Sequence, residues 1–184
     1  MPETIQPIKV CILSFEKMDL VDFAGPLETL SHVRGPSGDR LFSITVAGPS
    51  GEITTLQDLI IKRNISFEQA TSSLAQFDVL IVPGASYLVT KELCILAGRR
   101  ATTHYTIIPE LAELCAKYGQ TEIVRKRFVD AGLLDNGVRV VSSGGISSGF
   151  DAALYVVEVF CGLLCAEKAS DVLDYQWRRS EGLF

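Results

Sequence analysis

A chain of 184 residues and 20.0 kDa is one ordinary domain with little room for a second. Apolar residues at 47%, charged residues at 21% and a mean hydropathy of +0.26 allow a substantial buried core and exclude wholesale disorder. Seventeen Lys plus Arg against 22 Asp plus Glu give a net charge of −5, with no basic stripe beyond Arg125 to Arg127, which argues against nucleic acid as a partner.

Ile8 to Ser14 is a short, nearly continuous apolar run rich in β-branched residues, the pattern of a strand covered on both faces. A helix is predicted over Ala24 to Val33, followed by an alternating strand over Leu41 to Ala47. Ser66 to Leu74 reads as a second helix and Val79 to Val82 as a second fully buried strand. Ala101 to Thr103 is strand-like, Ile107 to Tyr118 helical, and Gly137 to Ser142 a Val-rich strand between glycines. Gly149 to Leu164 and Ala166 to Arg178 complete the helices. Strands alternating with helices predict an α/β sandwich with a largely parallel sheet, spanning residues 1–184 as one domain, with its ligand site beyond the carboxyl ends of the strands.

The longest apolar stretch, Ala152 to Ala166, falls short of the roughly 20 residues that span a bilayer and contains Glu158. It reads as a buried helix, and no membrane partner is expected. Cys11, Cys94, Cys115, Cys161 and Cys165 form an odd set with no CxxC pair, which fits a reducing, cytoplasmic setting. No basic flank and apolar signal core open the chain.

Several residues carry two readings. Asp22, after the first strand, is either the N-cap of a helix or a strand-end catalytic acid or base. Glu28 reads as a solvated helix residue. The turn Val82-Pro83-Gly84-Ala85-Ser86 is either a tight turn or a pair of amides, at Gly84 and Ala85, aimed at developing negative charge. Ser142 to Asp151, with Gly144, Gly145 and Ile146, is a second strand-to-helix glycine turn. It lacks the lysine of a nucleotide-binding loop, and its small residues permit close approach of a ligand or of a packed neighbour. Of the two histidines, His32 sits late in a helix, where it can cap carbonyls, and His104 is the better site candidate. No HExxH, His cluster or CxxC is present, so a metal site is not expected.

Taken together, these motifs resemble the ThiJ/PfpI superfamily, with its class I glutamine amidotransferase-like, flavodoxin-like three-layer fold, and within it the isonitrile hydratase group. Asp22-Phe23-Ala24-Gly25-Pro26 resembles that group's first catalytic loop, and Asp78 to Gly84 its strand ending in PGG. Gly98-Arg99-Arg100-Ala101-Thr102-Thr103-His104-Tyr105 resembles its GRRATTHW, and Ser143 to Asp151 its SAGISAGID. The resemblance implies a cysteine that attacks the terminal carbon of a small isocyanide, with the aspartate at position 22 supplying a proton and then activating water. The product is an N-substituted formamide. It also implies substrate contacts at Gly84, Ala85, His104, Gly145 and Ile146, no cofactor, and a homodimer.

One departure stands out. Between the PGG-like strand end and the ATTH segment, family members carry a helix, a further buried strand, the cysteine elbow and another helix. Here only Ala85 to Ala97 remain, enough for about one crossover helix. The sheet is therefore expected to be shortened where the elbow strand belongs. Cys94 corresponds better to the helix after the elbow, and a buried helical thiol would have its pKa raised rather than lowered. Two readings follow: an isonitrile hydratase-like lyase with Asp22 as acid and base and Cys94 as the available thiol, or a non-catalytic relative that binds a small molecule. Sensor domains of AraC-type regulators share the resemblance but add a DNA-reading helix-turn-helix beyond it, and DNA binding is not expected of this chain.

Overall fold

The computed structural model describes residues 6–83, 96–135 and 137–179. Its centre is the first apolar run. β1 (Ile8–Leu13) lies parallel to β2 (Phe42–Gly48) on one side and to β6 (Val79–Ile81) on the other. Strands flanked on both edges and covered on both faces need apolar side chains at every position, and Val10, Cys11 and Ile12 are fully buried. Val10 and Ile12 join Phe23, Leu30, Leu154 and Val157 in one core, whereas Cys11 and Leu13 join Ala47 and Ala70 in a second on the opposite face. The result is a helix–sheet–helix sandwich, with α1 (Leu20–Ser31) and α4 (Ser148–Cys161) in the first layer and α2 (Phe67–Ser72) in the other.

The six-stranded sheet runs β5-β2-β1-β6-β10-β9, where β5 is Ile65–Ser66, β9 Phe128–Leu133 and β10 Arg139–Ser143. All neighbours are parallel except β9 with β10. Two small sheets stand apart: the hairpin of β3 (Glu52–Thr54) with β4 (Ile60–Lys62), and the parallel pair β7 (Arg100–Ala101) with β8 (Glu122–Ile123), linked by α3 (Ile108–Tyr118).

Three sequence expectations are corrected. The first helix starts at Leu20, and its N-cap is Asp19, whose carboxylate accepts from the Val21 amide at 2.9 Å. Asp22 lies one turn further in and is not the cap. The apolar stretch Ala152 to Ala166 is two helices: Gly162 adopts φ +84, ends α4 and opens α5 (Leu163–Val172). The chain after α5 is irregular rather than helical to Arg178, and the Tyr175 hydroxyl and the Arg178 amide both donate to Asp151. Among the described residues, no helix is long and apolar enough to cross a membrane.

Candidate functional site

The loop from β1 to α1 is clamped by the β3–β4 hairpin. Lys17 N donates to Thr54 O at 2.8 Å, Leu56 N to Met18 O at 2.9 Å, and the Gln57 side-chain amide to Asp19 Oδ2 at 3.0 Å. Asp19 is thus fixed at the mouth of α1, and Asp22 follows on the first turn. Pro26 lacks an N–H, so the carbonyl of Asp22 loses its intrahelical partner four residues on, which loosens the backbone where the carboxyl projects. Gly25 and Gly149 let α1 and α4 approach: a Cβ on Gly25 would sit 3.1 Å from the Phe150 ring, and one on Gly149 would sit 3.7 Å from Pro26.

On the far side, the segment after β7 is tied to the end of β10. Thr102 N donates to Ser142 Oγ at 3.0 Å and Thr102 Oγ1 to Lys126 O at 3.0 Å. His104 follows, its Nδ1 2.8 Å from Thr106 Oγ1, which leaves Nε2 as the ring nitrogen without a partner among the described residues. Gly144 is a packing glycine, since a Cβ there would meet Lys126 O at 2.8 Å. Gly145 instead lies beside His104, with the imidazole Cδ2 3.7 Å from where its Cβ would be.

These pieces surround a cavity of about 500 Å³. Its polar and turn residues include Asp19, Asp22, Thr102, His104, Arg139 and Gly144, and its walls include Leu80, Val82, Leu111, Val140 and Val156. Burial is the main cause that raises the Asp22 carboxyl to about 6; the Asp19 carboxylate adds to the rise and His104 opposes it. Asp22 and His104 are therefore within electrostatic reach of each other, a carboxyl that keeps its proton far above the ordinary range beside an imidazole.

The sequence-derived candidates Gly84, Ala85 and Cys94 lie outside the described residues. Asp22, His104 and Ile146 line the cavity, and Gly145 adjoins it through His104. His32 does not reach it: its Nε2 pairs with Glu28 Oε1 at 2.7 Å on the surface of α1. None of the four described cysteines lines the cavity, and burial pushes Cys11 and Cys161 up to about 11. Among the described residues, no group of His, Cys, Asp and Glu is arranged to hold a metal ion.

Sequence reading missed Asp19, which sits three residues before Asp22 and was legible as an acid preceding the helix. It also missed the pair of Arg127 and Asp151. Arg127 Nε donates to Asp151 Oδ2 at 2.6 Å, with the two side chains 2% and 0% exposed. In a motif of serines and glycines, Asp151 reads as a helix N-terminal acid, and nothing nearby in sequence announces its partner 24 positions upstream.

A folded carboxyl that titrates above its unfolded value binds its proton more tightly in the native state. Stability from Asp22 is therefore greatest below about pH 4, falls between about 4 and 6, and stays reduced above 6. Asp22→Asn, which cannot ionise, is expected to raise stability at pH 8 by about 1 kcal/mol after allowance for solvent screening, a Tm gain of roughly 2–4 °C, with little change at pH 4. Thermal unfolding of both proteins at the two pH values reads this out. An equal shift at both would assign the effect to packing.

Known structures supply the comparison. A ThiJ/PfpI family protein from Pseudomonas syringae superposes with a TM-score of 0.73 at 17% identity, over 98% of this chain and 78% of that one. DJ-1 from Schizosaccharomyces pombe gives 0.70 at 14% identity, over 92% of this chain and 100% of that one. The fold is that of DJ-1 and the ThiJ/PfpI proteins. An AraC family transcriptional regulator from Pseudomonas putida has the DJ-1/ThiJ fold too, with a TM-score of 0.71 at 17% identity over 91% of this chain and all of that one. No protein-family model and no curated protein matches the sequence. At these identities the likeness is one of fold.

Proposed function

We propose that this chain is a ThiJ/PfpI-type, isonitrile hydratase-like lyase that hydrates a small isocyanide to an N-substituted formamide. The observation that carries the reading is the Asp22 carboxyl, raised to about 6 at an apolar cavity it shares with His104. Such a group holds a useful fraction of acid near neutrality, as general acid catalysis requires. The order of motifs along the chain, from Asp22 to the glycine turn at 144–145, supports the same assignment.

The chemistry balances without a cofactor as R–NC + H2O → R–NH–CHO. The protonated Asp22 carboxyl gives its proton to the terminal carbon, and a C–H bond forms as the carbon becomes nitrilium-like. Water then adds its oxygen to that carbon and returns a proton to the Asp22 carboxylate. The resulting formimidic acid, R–N=CH–OH, moves a proton from oxygen to nitrogen to give the formamide. His104, held through Nδ1 by Thr106, orients the water with its remaining nitrogen. The thiol route through Cys94 remains the alternative source of the first bond to carbon. Both routes need Asp22.

Incubation with an alkyl isocyanide and detection of the formamide tests the reading, with the Asp22→Asn, Cys94→Ala double variant as control. The acid route predicts a rate that falls as pH rises above about 6, where the carboxyl loses its proton. Equal formamide production by the wild type and the double variant would end the assignment. A second reading is favoured by the absence of any described cysteine from the cavity wall. In it the chain binds a small molecule without turning it over. Saturable binding of the isocyanide with no formamide would select it.

A further inference from the structure

The glycine turn between β10 and α4 is held from outside the cavity by a residue far along the chain. At its start, the Gly144 amide donates to the Arg127 carbonyl at 2.7 Å, and the Gly145 amide donates to Ser148 Oγ at 3.2 Å. At its end it meets Tyr175, whose hydroxyl lies 3.2 Å from Ser147 O and 3.1 Å from Asp151 Oδ2 and accepts from Arg127 Nη2 at 3.4 Å. Burial first, and then the Asp151 carboxylate, push the phenol above its ordinary value, so the hydroxyl keeps the proton that it donates. One side chain thus joins the turn, the buried ion pair and the segment after α5.

The ring of Tyr175 has a separate contact. It stacks on Phe150 with centroids 5.2 Å apart and planes 28° apart, and Phe150 is the ring that a Cβ on Gly25 would meet at 3.1 Å. Gly25 lies one helical turn after Asp22 on α1. Gly145, in the turn that the hydroxyl holds, lies beside His104. Tyr175 itself does not line the cavity. Nor does the ion pair depend on it, because Asp151 has shorter bonds of its own to Arg127 Nε at 2.6 Å and to the Arg178 amide at 2.8 Å.

We propose that Tyr175 is a positioning residue for the Asp22 and His104 site: its hydroxyl fixes the turn that carries Gly145 beside His104, and its ring fixes, through Phe150, the stretch of α1 that carries Asp22. Its effect on turnover rests on the proposed hydration; its effect on geometry does not.

Tyr175→Phe keeps the ring and removes only the hydroxyl, and Tyr175→Ala removes both supports. The chain has two histidines, so ring-proton NMR of the full chain carries its own control. In Tyr175→Phe the Cδ2–H resonance of His104 should move, because Gly145 backs on that atom, while that of His32, paired with Glu28 on the surface of α1, should stay. Tyr175→Ala should move the Asp22 carboxyl resonance as well. With an alkyl isocyanide, Tyr175→Phe should lower kcat roughly tenfold at an unchanged KM, the mark of misplaced rather than lost groups, and Tyr175→Ala should lower it further. A folded Tyr175→Phe protein with an unmoved His104 resonance would overturn the proposal, and a loss of stability alone would assign Tyr175 to packing. Absence of formamide from the wild type and both variants would end the hydration reading, and the histidine resonances would still decide the positioning.

Discussion

Replacing Asp151 with alanine is expected to lower folding stability by about 3–5 kcal/mol, a large share of the roughly 5–15 kcal/mol that holds a domain together. The carboxylate is wholly buried and accepts from Arg127 Nε at 2.6 Å, from the Tyr175 hydroxyl at 3.1 Å and from the Arg178 amide at 2.8 Å. Its loss strands a buried guanidinium, which is costlier than never having built the pair. It also releases the 175–179 segment from the amino end of α4, the helix that forms one wall of the cavity. Removing both charges, as in Arg127→Met with Asp151→Leu, should recover most of the loss because no unpaired ion remains. Urea unfolding of the three proteins measures this. A loss below about 1 kcal/mol for Asp151→Ala would mean that water reaches the pair.

Asp22→Asn should lower the turnover of isocyanide to formamide by about 10²- to 10⁴-fold, the usual worth of a positioned proton donor. The substitution preserves shape and hydrogen-bonding capacity at the first turn of α1, and it removes a group that destabilises the fold above pH 6. Loss of activity together with a gain in stability at pH 8 is therefore the expected pairing, and a structural defect would lower both. Asp19 should behave differently. It caps α1 through the Val21 amide and holds Gln57, so its replacement weakens the helix start and also takes away a charge that helps to raise Asp22.

The central strands were legible because their environment leaves only one kind of residue. β1 and β6 are short apolar runs covered on both faces, and β2 and β10 keep enough Val, Ile and Thr to read the same way. β9 was not legible. Phe128-Val129-Asp130-Ala131-Gly132-Leu133 is broken by an aspartate that binds Arg139 and the Tyr155 hydroxyl, and by a glycine at φ +83 where the ladder to β10 shifts register. The Asp135-Asn136-Gly137 signal for a hairpin was nevertheless present between the two strands. The helix limits failed where a single residue decides them. Gly162 divides one apolar stretch into two helices, and the chain beyond Asp174 is irregular, its Arg178 amide donating to the buried Asp151.

Of the site, Asp22 and His104 were visible as types of residue in loops after strands, and the resemblance put them in one place. The neighbours that set their chemistry were not visible. Asp19 looks like any helix-leading acid until the hairpin residue Gln57 fixes it. Arg99 and Arg100, prominent in the ATTH segment, serve structure: Arg99 Nη1 donates to Ala131 O at 2.8 Å, and Arg100 pairs with Glu122 across the small sheet.

The titration of one carboxyl bears on all of this most directly. Following the side-chain carboxyl carbon of Asp22 by NMR from pH 3 to 9, with Asp22→Asn to assign the resonance, should show a midpoint near 6 that shifts when Asp19 is replaced by asparagine. A midpoint near 4, the value of an ordinary solvated aspartate, would leave the cavity without its acid and contradict the proposed chemistry.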